Sequence, residues 1–306
     1  MASKDGRLDA ACATAMAIAL VLAPTTVQAG PWTPEPGHGY LKLWVKALYG
    51  FGYVDGAGRM HEYGDYGELF LSGYAEAGIA DGIALALHAP FYEGFLLEDP
   101  RTGALGDHHT IGDPTLGLRL RLVRADRFVA ALELGVRQPL APSGERQTVY
   151  GTATGNPAIG ALRIGSGAFD VPLALSAGYA WDDFYLAGAM GAVLRIATPG
   201  VRDLDQALTW SLEGGGTFAG GMSLRVRVRG EHALPTGDPL GRHESPSGVG
   251  SGTSIGGFAV EADWPVAREG ASPTTWMGVT AEGGIPGLLA RQTGGPVLSA
   301  YVAARW

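Results

Sequence analysis

From Leu41 onward the chain alternates between apolar and polar residues. Leu41, Leu43, Val45, Ala47, Tyr49 and Phe51 take every second place, with Lys42, Trp44 and Lys46 between them. Leu69, Leu71, Gly73 and Ala75 alternate with Glu68, Phe70, Ser72, Tyr74 and Glu76, and Ile83, Leu85, Leu87 and Ala89 with Ala84, Ala86 and His88. Leu116, Leu118, Leu120 and Leu122 alternate with Thr115, Gly117, Arg119 and Arg121. Phe128, Ala130, Leu132, Leu134 and Val136 face away from Glu133 and Arg137. Leu173–Trp181 and Phe184–Ile196 continue the series. Leu208, Trp210 and Leu212 then oppose Thr209, Ser211 and Glu213, and Leu224, Val226 and Val228 oppose Arg225, Arg227 and Arg229. Phe258, Val260, Ala262 and Trp264 oppose Glu261 and Asp263, and Met277, Val279 and Ala281 oppose Thr280 and Glu282. Counting back by twos from Trp306 gives Ala304, Val302, Ala300 and Leu298. A period of two is the signature of a strand with one apolar and one wetter face.

Twelve such strands are expected, and their connections alternate in length. Gly78–Gly82, Arg124–Arg127, Asp182-Asp183, Ala219–Gly221 and the somewhat longer Pro265–Pro273 are the short ones. Val54–Glu62, Glu93–Gly112, Ala141–Val171, Thr198–Asp205, Pro235–Gly252 and Gly287–Gly295 are long. Asn156–Ile164 has strand character, but a further strand there would break the alternation, so it is assigned to the third long loop or to a strand extension. Short turns on one side and long loops on the other predict an all-β, transmembrane, antiparallel up-and-down barrel with both termini periplasmic. A last strand closed by an aromatic, here Trp306, predicts recognition by the barrel assembly machinery.

The start of the chain reads as an export signal. Lys4 and Arg7 precede the uncharged run Ala10–Ala23, and Val27 and Ala29 are small residues suited to a cleavage site, placed after Ala29. Residues 1–29 are thus expected to be a cleaved signal and 30–306 one barrel domain in the outer membrane. Cys12 precedes the main apolar stretch, which excludes a lipoprotein anchor and leaves the mature chain without thiol chemistry. Beyond the signal there is no apolar run of ~18 residues, so no transmembrane helix is expected.

Composition narrows the partners. The 306 residues include 49 glycines and 17% charged residues, a mixture suited to many strands and tight turns. The net charge of −8 and the lack of a basic tract exclude nucleic acid. Lipid and a small solute remain.

The wetter register carries the chemistry. It holds Lys42 and Lys46, then Glu68 and Glu76, then Arg119 and Arg121, then Glu133 and Arg137. Further on come Glu213, the row Arg225, Arg227 and Arg229, and finally Glu261 and Asp263. Basic and acidic strands are neighbours, so these charges can pair across strands. Two roles follow: filling and stiffening the barrel, or lining a permeation path and setting its selectivity. His108-His109 lacks a third ligand at metal-binding spacing, and His61, His232 and His243 read as solvated loop residues. No spacing singles out a nucleophile, so an outer-membrane hydrolase ranks behind a channel and behind a structural or surface-interaction barrel. No cofactor is implied. Trp32, Trp44, Tyr92, Trp181, Trp210, Trp264, Trp276 and Trp306 fall mostly near strand ends, as an interfacial girdle requires. Trp44 and Tyr74 lie in the wetter register and are candidates for a hydrophobic site.

The stretch Gly112-Asp113-Pro114-Thr115-Leu116-Gly117-Leu118-Arg119-Leu120-Arg121-Leu122 resembles one recurring in a group of outer-membrane barrels. That group is named for phenol meta-degradation gene clusters and is similar to the fatty-acid-uptake channels. Gly39–Leu43, Tyr53–Arg59 and Val129–Pro139 share the resemblance, which covers much of residues 32–140 and is thin beyond them. It implies transport of small, often hydrophobic compounds. The chain departs from the fatty-acid channels because the first strand begins soon after Ala29, leaving no long N-terminal segment to form a plug. Gated uptake of long-chain lipids is therefore not expected.

Overall fold

The computed structural model describes residues 30–98, 105–141, 146–147, 161–162, 165–199, 204–237, 253–269, 272–285, 287–289 and 292–306. The expected cleavage signal, residues 1–29, lies outside them. The barrel strands are β1 (Gly39–Val54), β2 (Met60–Ala80), β3 (Ile83–Glu98), β4 (Thr115–Ala125), β5 (Phe128–Arg137) and β6 (Ala168–Ala180). They continue with β7 (Phe184–Ala197), β8 (Ala207–Thr217), β9 (Ser223–Ala233), β10 (Ser254–Glu269), β11 (Ser272–Gly284) and β12 (Val297–Arg305). Every strand pairs antiparallel with its neighbours in sequence, and β12 returns to β1, Tyr40 facing Arg305 and Leu48 facing Val297. Closure leaves no free sheet edge among these twelve strands. No described helix is long and apolar enough to cross a membrane.

The alternation settles which side chains face out. Leu41, Leu43, Val45, Leu69, Leu71, Leu85, Leu87, Leu116, Leu134, Leu175, Leu212, Val226, Val279, Leu298 and Val302 are all exposed on the outer surface. An outer belt of this kind is stable in hydrocarbon. At the short-turn end it is edged by Phe128, Tyr179, Trp181, Phe184, Phe218 and Trp264. There Tyr179 meets Trp181 edge-on with centroids 5.0 Å apart, and Phe184 meets Phe218 at 6.0 Å.

The short connections are tight. At Asp81-Gly82 the glycine adopts φ +72°, a left-handed conformation that favours glycine. The strands run further than the apolar pattern suggested. The first long loop shrinks to Asp55–Arg59, which Asp55 holds by accepting the Ala57 and Arg59 amides at 2.9 Å each. Glu93–Gly112 is largely strand: β3 continues to Glu98, and Leu105–Thr110 pairs back onto it beyond the barrel. Within Gly287–Gly295, Gln292–Gly294 pairs with the upper end of β1. The described part of Asn156–Ile164, Ala161-Leu162, pairs with Arg146-Gln147 in a separate small sheet, away from the barrel wall.

One irregularity decides a register. Leu71 faces Tyr92 while Ser72 faces Pro90, so Phe91 is an extra residue in β3. Regular pairing would send Tyr92 inward and Glu93 to the lipid side. The bulge instead turns Glu93 and Phe95 into the buried interior.

Candidate functional site

The inward register gathers charge into three groups. In the first, Arg119 of β4 lies 2.8 Å from Glu76 of β2 and 3.6 Å from Glu133 of β5. Ser176 of β6 donates its hydroxyl to Glu133 at 2.7 Å, and the Tyr74 hydroxyl bonds Glu76.

The second group stands near the long-loop end. Asp170, fully buried at the start of β6, receives Arg137 of β5 at 2.8 Å and lies 3.8 Å from Arg195 of β7. Arg195 also pairs with Glu231 of β9 and donates to the Asp205 carbonyl at 3.0 Å.

The third group spans β7 to β12 and β1. Lys42 reaches Glu261 at 2.7 Å, and its ammonium sits 3.7 Å from the centre of the Tyr301 ring. Arg225 lies 3.0 Å from Glu261 and also pairs with Asp263. Arg227 pairs with Glu213, to which Tyr185 donates at 2.5 Å, and Arg229 lies 3.3 Å from Glu282. Interior charges are stable only when paired and hydrogen-bonded in this way.

Between these groups runs a cavity of about 1140 Å³. Nine of the fourteen sequence candidates line it: Lys42, Lys46, Glu76, Glu213, Arg225, Arg227, Arg229, Glu261 and Asp263. The other five also point inward but are spent elsewhere. Arg119 and Arg137 are held in the ion pairs above, and Glu133 faces a smaller cavity. Glu68 is buried and bonded by the Tyr66 hydroxyl, and Arg121 meets Asp81 at the short-turn rim at 2.5 Å.

The cavity reaches the short-turn end at Trp181–Phe184, Thr217 and Trp306. Toward the long loops its lining stops at Phe70, Glu93, Thr115, Arg229 and Glu282. Beyond stands an apolar layer in which Leu48, Tyr66, Phe95 and Val297 pack with Phe70 and with Ala141 from the third long loop. Asp113 fixes that loop by accepting the Leu140 and Ala141 amides at 2.8 Å each. Burial raises the Asp113 carboxyl above the usual carboxylate range, although these two donors pull the other way.

Several participants escaped the sequence reading. Asp170 was assigned to a loop, yet it lies on β6, drawn into the ladder opposite Arg137. Arg195 and Glu231 share the inward register of their strands and are legible in principle from alternation alone, while Glu282 stands in the polar register read for its strand but outside the candidate set. Trp32 and Trp276 are not girdle residues. Trp276 lines the cavity beneath Arg305, whose guanidinium lies 4.9 Å from its ring. Trp32 packs edge-on against Tyr185 at 5.4 Å inside the barrel. Trp44 faces inward and stacks on His88 at 5.5 Å. His232 is half-buried and accepts the Trp210 indole N–H at 3.0 Å. His109 meets Tyr92 at 2.7 Å and Asp107 at 3.2 Å on the exposed hairpin.

The first strand does begin soon after Ala29, at Gly39, yet the short segment ahead of it enters the barrel. Residues 30–38 fold into it from the short-turn end. Gly37 donates to the Gly78 carbonyl at 3.0 Å, and Gly78 donates to that of His38 at 3.0 Å. The Trp32 carbonyl accepts Arg119 at 3.3 Å, and Pro31 is fully buried. Glycine makes room for the segment twice. A Cβ at Gly78 would stand 2.3 Å from the Glu35 carbonyl oxygen, and one at Gly178 would stand 2.7 Å from the Pro31 ring.

No protein-family model and no curated protein matches the chain. Solved structures do. An outer membrane channel from Pseudomonas putida F1 superposes with a TM-score of 0.63 at 13% identity, over 92% of this chain and 100% of that one. The NanC porin gives 0.48 at 8% identity, over 86% and 98% of the two chains. The CymD monoaromatic hydrocarbon channel gives 0.39 at 9% identity, over 89% and 88%. At such identities the likeness is one of fold.

Proposed function

We propose that this protein is an outer-membrane channel for the passive passage of small solutes. The observation that carries the reading is the cavity of about 1140 Å³, lined by both signs of charge and reaching the short-turn end of a lipid-compatible barrel. The fold shared with the P. putida channel supports it. Lys42, Lys46, Glu68, Glu76, Arg119, Arg121, Glu133, Arg137, Glu213, Arg225, Arg227, Arg229, Glu261 and Asp263 would set the field along the path, the nine cavity-lining ones directly. The short-turn end, which carries both ends of the described chain, is periplasmic in this reading. The strand closing on Trp306 is the segment offered to the assembly machinery.

The finer proposal concerns the solute. The resemblance to the barrels of phenol meta-degradation clusters favours small, partly apolar compounds. Trp32, Trp44, Phe70, Trp276 and Tyr301 offer aromatic surface beside the charges of the cavity. Passage needs neither a cofactor nor a covalent intermediate.

One observation favours a second reading, a closed structural barrel. The apolar layer around Leu48, Tyr66, Phe95 and Val297 and the Arg137–Asp170–Arg195–Glu231 network occupy the interior beyond the cavity. Single-channel recording of the folded, signal-free protein in a planar bilayer separates the two. Discrete, ion-selective steps are the expected result. Silence from protein shown to be inserted would establish the closed barrel.

A further inference from the structure

The first group of charges does not balance. Glu76 and Glu133 are two carboxylates around the single guanidinium of Arg119. Their remaining partners, Tyr74 and Ser176, are neutral hydroxyls. Among the described residues, with both carboxylates ionised, one negative charge is left over at a buried place, where a charge without a counterion is costly. The other two groups do balance. Arg137 and Arg195 meet Asp170 and Glu231, while Lys42, Arg225, Arg227 and Arg229 meet Glu213, Glu261, Asp263 and Glu282.

The N-terminal segment ends at that surplus. Gly30 and Pro31 line a small cavity of about 20 Å³ together with Glu133, Ser176, Ser211 and Glu213. The backbone reverses so tightly that a Cβ at Gly30 would stand 2.9 Å from the Trp32 ring. Gly30 is also the residue that follows the cleavage site read from the sequence.

We propose that the amino terminus freed at Ala29–Gly30 is the missing cation of the Arg119 group. Seated between Glu133 and Glu213, it pins Gly30–His38 across the periplasmic end of the barrel as a built-in plug. Hydrolysis by a signal peptidase breaks the Ala29–Gly30 C–N bond. Water gives its hydroxyl to the Ala29 carbonyl carbon and a proton to the Gly30 nitrogen, and a second proton makes that amine an ammonium. Export processing thereby creates the counterion of this group, and the uncleaved chain lacks it. The inference rests on cleavage at this bond and is independent of whether the barrel conducts.

The test uses mature protein recovered from outer membranes. Mass spectrometry should place its first residue at Gly30; any other start overturns the proposal. The folded protein is then exposed at neutral pH to a small acylating reagent, and modification is read on the N-terminal peptide. Protection relative to the denatured chain is expected, and equal reactivity of folded and denatured protein would refute the seat. Glu133→Gln should speed labelling of the folded form by about tenfold or more, as loss of a buried partner implies. An unchanged rate would refute the role of that carboxylate.

Gly78→Val gives a second approach, since it drives a Cβ against the Glu35 carbonyl without touching any charge. It should expose the amine and, in a conducting barrel, raise conductance several-fold. Labelling that stays as slow as in the wild type would count against the plug. If the wild type and both variants are silent in a bilayer while the wild-type amine is protected and both substitutions expose it, the channel reading fails and the seat stands.

Discussion

Arg227 and Val226 are adjacent in sequence and opposite in environment. Arg227 faces the cavity and holds Glu213, whereas Val226 is exposed on the outer belt. Arg227→Glu should therefore shift ion selectivity toward cations in reversal-potential measurements, because it places a second carboxylate beside Glu213. Val226→Arg should leave selectivity alone and impair insertion, at about 2–4 kcal/mol for a charge near the bilayer midplane. Folding yield into lipid vesicles at a series of urea concentrations measures the second effect. The inward or outward assignment of both residues was legible from alternation, since a period of two needs only one fixed point. Asp170 was not legible. An aspartate preceded by a long polar loop looks like more loop, and only its partners Arg137 and Arg195 make a buried carboxylate affordable there. Trp32 and Trp276 misled for a related reason, because an aromatic near a strand end suits either a lipid interface or a lumen wall.

Strand number and order were legible for the same physical reason as the registers, because each lipid-facing ridge must be apolar along its length. Strand ends were not. Beyond the hydrocarbon the outer face no longer has to be greasy, so β3 continues into a polar hairpin that the apolar pattern does not mark. The bulge at Phe91 was equally hidden, and it leads to a contrast. Deleting Phe91 should be tolerated, since Pro90 and Tyr92 then alternate regularly and Glu93 still points inward. Deleting Met190 from β7, which pairs without interruption with both neighbours, should turn Arg195 toward lipid and abolish insertion. Proteinase protection of the inserted barrel distinguishes the two variants. The segment 30–38 has no periodicity to read, being held by backbone contacts at Gly78 and by burial of Pro31.

At the scale of the whole molecule, the interior is divided along its axis. A wide charged cavity occupies the short-turn half, and an apolar layer narrows the long-loop half. If that layer limits flow, Tyr66→Ala combined with Phe95→Ala should raise single-channel conductance while β-sheet content by circular dichroism is retained. An unchanged conductance would move the constriction to the third long loop, which Asp113 anchors. The division was not legible in the sequence, because it depends on which inward residues share a height after twelve strands have tilted and closed. Closure carries a consequence in time as well as in space. The seam joins β1 to β12, and His38, just ahead of β1, contacts the Trp306 carbonyl 268 residues away. The seat of the N-terminal segment, however, is built by β2 and by β4 to β8. The earliest part of the chain must therefore wait for the middle to form its pocket, and for the last strand to shut it in. Such distant pairings raise the contact order of the barrel, which goes with slow folding.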